Sequence, residues 1–224
     1  MTIKENLQKI KQEIPANVTL VAVSKSKTID EIMEAYDAGQ RDFGENYVQE
    51  LRNKQPLAPK DIKWHFIGTL QTKQIKYIAP FVYMIHSVTS IKHIEEIDKR
   101  AKQNNRIIPI LIELHIANEI TKSGVDDSEL FELLEYYNNN NFANIEIQGL
   151  MGMATFTNET EQIRQEFKHL KKIFDIVKEK YFNNNVNFKH LSMGMSNDYM
   201  IAIEEGSTIV RIGTLIFGKR KYNK

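Results

Sequence analysis

The stretch VTLVAVSKSKTIDE, residues 18–31, predicts the fold of this chain. Its first part, residues 18–24, is mostly apolar on both alternating faces, which is typical of a parallel β-strand covered by helices on both sides. A helix start follows at once, because Thr28 can cap the first turn and Glu31 stands where it completes a capping box. A strand that leads directly into a helix is the repeating unit of α/β folds.

The same alternation of strand and helix recurs along the chain. Further apolar runs with strand character lie at residues 41–44, 63–68, 82–88, 107–116, 145–153, 189–195 and 207–213. Amphipathic segments with helical spacing separate most of these runs. Eight alternations without a glycine-rich dinucleotide turn favour an α/β fold of the closed (β/α)8 TIM-barrel type over an open doubly wound sheet. Because no proline-, glycine- or serine-rich linker divides the chain, we expect one domain over residues 1–224.

Composition excludes several classes of protein. The chain has 224 residues and a formal net charge of +1, so no global field attracts nucleic acid or an anionic membrane, and we expect neither partner. It contains no cysteine, which excludes disulfides, thiolate catalysis and thiolate-bound metals. The amino-terminal residues lack the apolar core of a signal peptide, and no segment approaches the ~20 apolar residues needed to span a bilayer. A cytoplasmic protein is therefore expected.

Two lysines, Lys25 and Lys27, directly follow the first predicted strand. Functional side chains of a TIM barrel lie at the carboxyl ends of its strands. A lysine there is either a solvated strand end or a nucleophile, and a nucleophile needs a pKa lowered by burial or by a nearby cation. Strand alternation places Lys25 on the face of Val21 and Val23 and leaves Lys27 beyond the strand end, where it is the better fit to a solvated lysine. Lys25 is therefore the candidate for a Schiff base with a phosphorylated aldehyde such as pyridoxal phosphate.

The last two predicted strands lead into SMGMSND, residues 192–198, and RIGTLIFG, residues 211–218. Small residues in these segments leave backbone N–H groups approachable, and the hydroxyls of Ser196 and Thr214 add donors. The loops after strands seven and eight form the usual phosphate site of this fold. Each motif taken singly also fits a tight turn, but together they predict a phosphate site.

Several motifs keep a common order from about residue 20 onward: AVSKSK, DAGQRDFGENYVQE, WHFIGTLQTKQ, KSGV, GLMGMA and LSMGMSNDYMIAIEEGSTIVRIGTLIFGKR. In these motifs the chain resembles the pyridoxal phosphate homeostasis protein family. The resemblance implies a fold-type III barrel similar to the N-terminal domain of alanine racemase, with pyridoxal 5′-phosphate as cofactor. It also implies a role in intracellular vitamin B6 and amino-acid homeostasis.

The resemblance further implies roles for individual residues. It places the lysine aldimine of the cofactor at Lys25 of AVSK. The cofactor's phosphate would be held by Ser196 of GMSND and by Gly213 and Thr214 of RIGT.

Arg211 lies two residues before Gly213 and, by the same resemblance, approaches the pyridine nitrogen of the cofactor. An always-charged guanidinium there disfavours protonation of that nitrogen, so the ring would stabilise a carbanion weakly. Asn46 and His65 are further candidates for lining the cofactor. For both the structural alternative stays open, because an Asn at a helix start is usually a cap and a His in an apolar strand is usually a satisfied core residue.

The resemblance also bears on catalysis. Racemases of this fold carry a C-terminal β domain that supplies a tyrosine as second acid/base, whereas this chain ends at KRKYNK, residues 219–224. We expect no such β domain, and therefore a cofactor-binding protein without strong catalysis, monomeric, with apo-enzymes that use pyridoxal phosphate as candidate partners. The alternative is a pyridoxal-phosphate-dependent amino-acid racemase or a related small enzyme.

Two other enzyme classes fit the sequence poorly. The six histidines show no HxH or HExxH spacing, which argues against a metal-dependent hydrolase, and no metal site is expected. The segment GMSND lacks the last glycine of the G-x-S-x-G elbow of serine hydrolases, because Asp198 occupies that position.

Overall fold

The computed structural model describes residues 2–119 and 121–218 and shows a closed barrel of parallel strands. Each strand pairs with its neighbours in chain order, and the last pairs with the first. The strands are β1 (Thr19–Val23), β2 (Asp42–Glu45), β3 (Lys63–Phe66), β4 (Met84–Val88), β5 (Ile108–Leu114), β6 (Ile145–Gly152), β7 (His190–Ser192) and β8 (Ile209–Ile212). Seven of the eight lie within the predicted runs and β2 extends one residue beyond its run, at Glu45, which confirms the single (β/α)8 TIM barrel.

A helix follows every strand of the described chain, and one further helix precedes β1. The helices are α1 (Ile3–Glu13), α2 (Ile29–Asp37), α3 (Val48–Lys54), α4 (Ile75–Ile78), α5 (Ile91–Gln103), α6 (Asp127–Asn139), α7 (Thr160–Tyr181), α8 (Tyr199–Glu204) and α9 (Thr214–Phe217). The predicted capping box begins α2, where Thr28 and Glu31 satisfy each other's backbone N–H groups. No helix among the described residues is both long and apolar enough to cross a bilayer. The carboxyl-terminal KRKYNK lies outside the described residues.

Apolar side chains form two separate groups. The large group fills the layer between the barrel and its helices and includes Phe43, Phe66 and Phe167. A small group occupies the barrel interior and consists of Val21, Met84, Leu111, Met151 and Ile209. Burial on both faces explains why the strands read as nearly continuous apolar runs.

The rest of the barrel interior is polar. His86 of β4 lies 3.0 Å from the hydroxyl of Ser192 of β7, although these strands are not neighbours, so both side chains point inward. Arg211, His65 and Glu113 are buried as well. Branched apolar side chains usually fill a TIM barrel. In this barrel, buried polar and charged side chains take the place of part of that apolar filling, so the interior differs from that of an ordinary TIM barrel.

The start of β7 generates a pH prediction. Burial lowers the pKa of His190 to about 4, and Lys189 adds to the shift. The unfolded chain, with its usual histidine pKa near 6.5, therefore binds more protons than the folded chain between about pH 4 and 6.5, and stability falls as the pH falls through this window. Relative to His190→Gln, the parent should lose up to about 1.4 kcal/mol of unfolding free energy per pH unit.

Urea unfolding of both proteins across that pH range measures the difference. The buried carboxyls also make the unfolding free energy depend on pH, but they are the same in the parent and in His190→Gln. The difference between the two proteins therefore reports on His190 alone. Stability curves that run parallel from pH 6.5 to pH 4 would contradict a neutral His190 in the folded state.

Candidate functional site

A cavity of about 330 Å³ opens where the carboxyl ends of β1, β2, β6, β7 and β8 meet. This volume is within the usual range of small-molecule pockets, roughly 300–1,000 Å³. Six of the residues predicted from the sequence line it: Lys25, Asn46, Ser196, Arg211, Gly213 and Thr214. The fold thus brings together side chains from the two ends of the sequence.

His65 is not among the residues that line the cavity, and its contacts are those of a core histidine, the alternative that the sequence left open for it. Its Nδ1 lies 2.9 Å from Nε2 of His86, and its Nε2 lies 3.0 Å from Oδ1 of Asp42. Both ring nitrogens are therefore engaged inside the barrel, and the side chain is not part of the cavity wall.

A buried ion-pair cluster holds the backbone on both sides of Lys25. The ammonium of Lys54 donates to the carbonyl of Ser24 at 2.9 Å and to carboxylate oxygens of Glu45 and Glu50 at 2.9 and 2.8 Å. The hydroxyl of Ser24 donates to the same Glu45 at 2.6 Å, and the amide of Ser26 donates to Glu50 at 2.7 Å. Lys25 therefore enters the cavity from a backbone segment that is fastened before and after it.

Burial raises the pKa of the Glu45 carboxyl, and the neighbouring Lys54 ammonium opposes that shift. One oxygen of Glu45, Oε2, is buried without a hydrogen-bond partner among the described residues. A buried ion pair adds little to net stability but costs several kcal/mol when one partner is removed. The cluster therefore serves mainly to define the local geometry beside Lys25.

Lys27 has a different environment from Lys25. Its ammonium donates to Glu31 at 3.2 Å and to the carbonyl of Phe217 at 2.8 Å, and its side chain is only 9% exposed. It is therefore not a solvated strand end, as the sequence suggested, but ties α2 to α9. Lys27 is also absent from the cavity wall, whereas Lys25 lines it. Of these two lysines, Lys25 is therefore the one placed to react with a ligand in the cavity.

Asn46 presents an unsatisfied polar atom at the cavity. Its Oδ1 is buried and has no hydrogen-bond partner among the described residues. The backbone of Asn46 is held in place by close packing, because a Cβ added to Gly68 would lie 2.0 Å from its carbonyl oxygen. An orphaned amide in a cavity wall calls for a ligand or a water molecule as its partner.

The segments after β7 and β8 supply hydroxyls and backbone donors to the same wall. Ser196 is half-buried, and Thr214 is the first residue of α9. The amides of Ile216 and Phe217 donate to the carbonyl of Gly213, so only the first amides of this short helix lack a helical partner. Gly213 lets this turn approach β1, since a Cβ there would lie 3.1 Å from the carbonyl oxygen of Val23.

Arg211 brings a buried positive charge to the floor of the cavity. It is 4% exposed, and it donates from Nη1 to the hydroxyl of Ser192 at 2.6 Å and from Nη2 to the carbonyl of Gly152 at 3.1 Å. Burial lowers its pKa to about 10, while the carboxylates of Asp198 and Glu113 oppose the shift. The guanidinium therefore stays charged at neutral pH.

Sequence reasoning missed part of the wall, which the loop after β6 contributes. Thr155 lines the cavity and is oriented by Glu166 of α7, which accepts from its amide and its hydroxyl, each at 2.6 Å. Phe156 also lines the cavity although its side chain is 80% exposed. The one sequence signal that could have identified these residues as part of the site is their position just after a predicted strand.

The contact between Gly68 and Asn46 generates a prediction. Gly68→Ala should displace Asn46 and cost about 1–3 kcal/mol of unfolding free energy by overpacking. Gly39→Ala is the control: Gly39 has φ +88°, but its nearest added contact is Lys11 Nζ at 4.0 Å, so only the backbone cost of about 1 kcal/mol applies. Chemical denaturation measures stability, and NMR of the Asn46 side-chain amide measures displacement. An unmoved amide resonance in Gly68→Ala would contradict the contact.

Comparison with known proteins identifies the family. Residues 1–221 match the family described as "Alanine racemase, N-terminal domain". The chain is 43% identical over 204 residues to the pyridoxal phosphate homeostasis protein of Aquifex aeolicus, covering 91% of this chain and 87% of that one. It is 37% identical to the human protein of the same name, covering 95% and 81%.

Solved structures agree with these sequence matches. PipY of Synechococcus elongatus PCC7942, solved with PLP bound, has a TM-score of 0.88 and 31% identity, and the match covers 97% of this chain and all of PipY. Alanine racemase of Bartonella henselae has a TM-score of 0.71 at 17% identity, with 60% of its chain covered, and shows likeness of fold alone. Together with the barrel and its lysine- and arginine-lined cavity, these matches show that the chain belongs to the pyridoxal phosphate homeostasis proteins, within the family of alanine racemase N-terminal domains.

Proposed function

We propose that this chain binds pyridoxal 5′-phosphate in the described cavity, attaches it to Lys25, and takes part in vitamin B6 and amino-acid homeostasis without strong catalysis. The observation that carries the proposal is the convergence of Lys25, Ser196, Arg211, Gly213 and Thr214 on one cavity. The names of the relatives and the PLP-bound structure of PipY support it.

The residues of the cavity fit this cofactor chemically. The orphaned Asn46 amide suits a polar ring substituent, and the apolar Val23 and Ile67 suit the faces of an aromatic ring. A phosphate needs several donors, which the Ser196 and Thr214 hydroxyls and first-turn amides offer. The cavity volume of about 330 Å³ accommodates a small cofactor.

Each residue has a proposed task. Bound pyridoxal phosphate supplies an aldehyde that condenses with a primary amine, and a pyridine ring that withdraws electrons. Lys25 is that amine, held in register by the Lys54 ion-pair cluster. Ser196, Gly213 and Thr214 bind the phosphate. Arg211 donates to the ring nitrogen and keeps a positive charge beside it, which disfavours protonation of the ring.

Weak catalysis is the finer part of the proposal. Of the described residues that line the cavity, the titratable ones are Lys25, Asp198 and Arg211. The Asp198 carboxylate accepts from the amide of Met195, which fixes it to its own loop. Racemisation needs two acid/base groups on opposite faces of the substrate, and of this set Lys25 is the one group suited to that task, since Asp198 is fixed to its loop and Arg211 stays charged. Exchange of the cofactor with amines is therefore favoured over turnover of amino acids.

The remaining expectations stay predictions from the sequence. They are the single domain over residues 1–224, the cytoplasmic location, the monomeric state, apo-enzymes as partners, and the lack of interaction with nucleic acid or membrane. Strong sequence similarity to homeostasis proteins is compatible with a carrier that passes its cofactor on.

The first prediction concerns Lys25. Borohydride reduction of the cofactor-loaded protein should fix the cofactor to the peptide that contains Lys25, as read by mass spectrometry. Lys25→Ala should abolish the fixed adduct but keep weaker, noncovalent binding, because the phosphate donors remain. Lys27→Ala is the matched control and should keep the adduct. An adduct found on Lys27 in the parent would overturn the assignment.

The second prediction concerns Arg211 and catalysis. Arg211→Gln removes the positive charge beside the ring and should change the visible absorption spectrum of the bound cofactor. Arg164→Gln, which breaks bridges to Glu204 and Glu205 outside the cavity, should leave that spectrum unchanged. Exchange of the α-deuteron of labelled alanine should stay near background in all three proteins. Rapid exchange by the parent that is lost in Lys25→Ala would support the racemase alternative instead.

A further inference from the structure

A continuous chain of hydrogen bonds crosses the barrel interior from Arg211 to Asp42. Nη1 of Arg211 donates to Oγ of Ser192 at 2.6 Å, and Ser192 Oγ lies 3.0 Å from Nδ1 of His86. Nε2 of His86 lies 2.9 Å from Nδ1 of His65, and Nε2 of His65 lies 3.0 Å from Oδ1 of Asp42. The chain thus links β8, β7, β4, β3 and β2 through their side chains.

The two ends of the hydrogen-bond chain lie at opposite ends of the barrel. Arg211 lines the cofactor cavity, whereas Asp42 lines a separate depression beside Thr19 and Leu20, where β1 begins. The members between them, Ser192, His86 and His65, are at most 1% exposed. Water therefore has little access to the middle, and each polar atom there depends on its protein neighbour.

Chemistry sets the direction of the hydrogen bonds. A guanidinium can only donate, so Ser192 accepts from Arg211 and has its own proton left to donate to Nδ1 of His86. A neutral His86 then donates from Nε2 to His65, which donates from its Nε2 to the Asp42 carboxylate. The opposite direction would require His65 to donate from both nitrogens, and thus to carry a charge in the barrel interior. Each group consequently donates to the next, from guanidinium to carboxylate.

The surroundings favour a neutral imidazole at His86. Burial lowers the pKa of His86 well below its usual value, and the proximity of His65, Arg211 and His190 lowers it further. On the Arg211 side the nearby carboxyls are Asp198 and Glu113, which stabilise the guanidinium.

We propose that Ser192, His86, His65 and Asp42 are positioning residues, which act through one another to set the orientation of Arg211 towards the ring nitrogen of the cofactor. This inference rests on the proposed cofactor site. With Nη1 and Nη2 each giving one proton to Ser192 and Gly152, the plane of the guanidinium is fixed, and its remaining N–H groups are left for the cavity. Loss of the Ser192 hydroxyl leaves the guanidinium, among the described residues, with its hydrogen bond to the Gly152 carbonyl, about which it can rotate.

The first test needs no cofactor. Long-range ¹H–¹⁵N correlation NMR of the cofactor-free protein reports the protonation state of each imidazole. At pH 7, His65 and His86 should both be neutral with the proton on Nε2. A proton on Nδ1 of His86, or a charged His65, would overturn the proposed direction of the chain.

The second test compares two buried serines. Ser192→Ala removes the acceptor of Arg211 and should weaken cofactor retention roughly tenfold, as expected for loss of one charge-assisted hydrogen bond, and should displace the cofactor's absorption maximum. Ser207→Ala is the matched control, because the single proton of its buried hydroxyl has the carbonyls of Leu191, Met193 and Ile209 within 3.2, 2.8 and 3.0 Å, near β7 and β8 but outside the hydrogen-bond chain.

The Ser207→Ala spectrum should equal that of the parent. An unchanged spectrum and retention in Ser192→Ala, or an equal change in Ser207→Ala, would overturn the positioning role. A parent protein that fails to bind pyridoxal phosphate would overturn the proposed function and the positioning role with it, whereas a wrong His86 tautomer in a cofactor-binding parent would overturn the positioning role alone.

Discussion

The pairing of β1 with β8 closes the barrel, and the candidate site depends on that closure. The register places Val21 opposite Arg211 and Ala22 opposite Ile212. Lys25 and Gly213, which follow these strands, therefore reach the same cavity although most of the sequence lies between them. In an open sheet with the same strand order, β1 and β8 would lie at opposite edges, and Lys25 could not reach the same ligand as the proposed phosphate donors.

A buried guanidinium is the second constraint. Removing such a charge from water costs several kcal/mol, which the barrel offsets with the Ser192 hydroxyl, the Gly152 carbonyl and the nearby Asp198 and Glu113 carboxylates. An apolar filling would stabilise the barrel at least as well. The polar interior is therefore better understood as a means to hold a fixed positive charge under the cavity.

The sequence predicted the elements and the edge of the barrel at which the site lies. Alternating burial and the Thr28 capping box are local properties, so they could be read directly from neighbouring residues. Six candidate residues line the cavity because each lies close to the carboxyl end of a strand, and strand ends are recognisable. The resemblance to a known family added roles that spacing alone did not supply.

The sequence could not decide the roles of side chains whose partners are remote. For His65 it left a place beside the cofactor and a place in the core both open, because the strand pattern cannot show that His86 and Asp42 engage both of its nitrogens. Lys27 was expected in solvent, but its ammonium meets the carbonyl of Phe217, 190 residues away in sequence. Sequence by itself determined the strand and helix periods and the order of the motifs, because these arise from contacts within a few residues. Only the tertiary structure decided which polar groups meet inside the barrel, because closure brings distant strands within hydrogen-bonding distance.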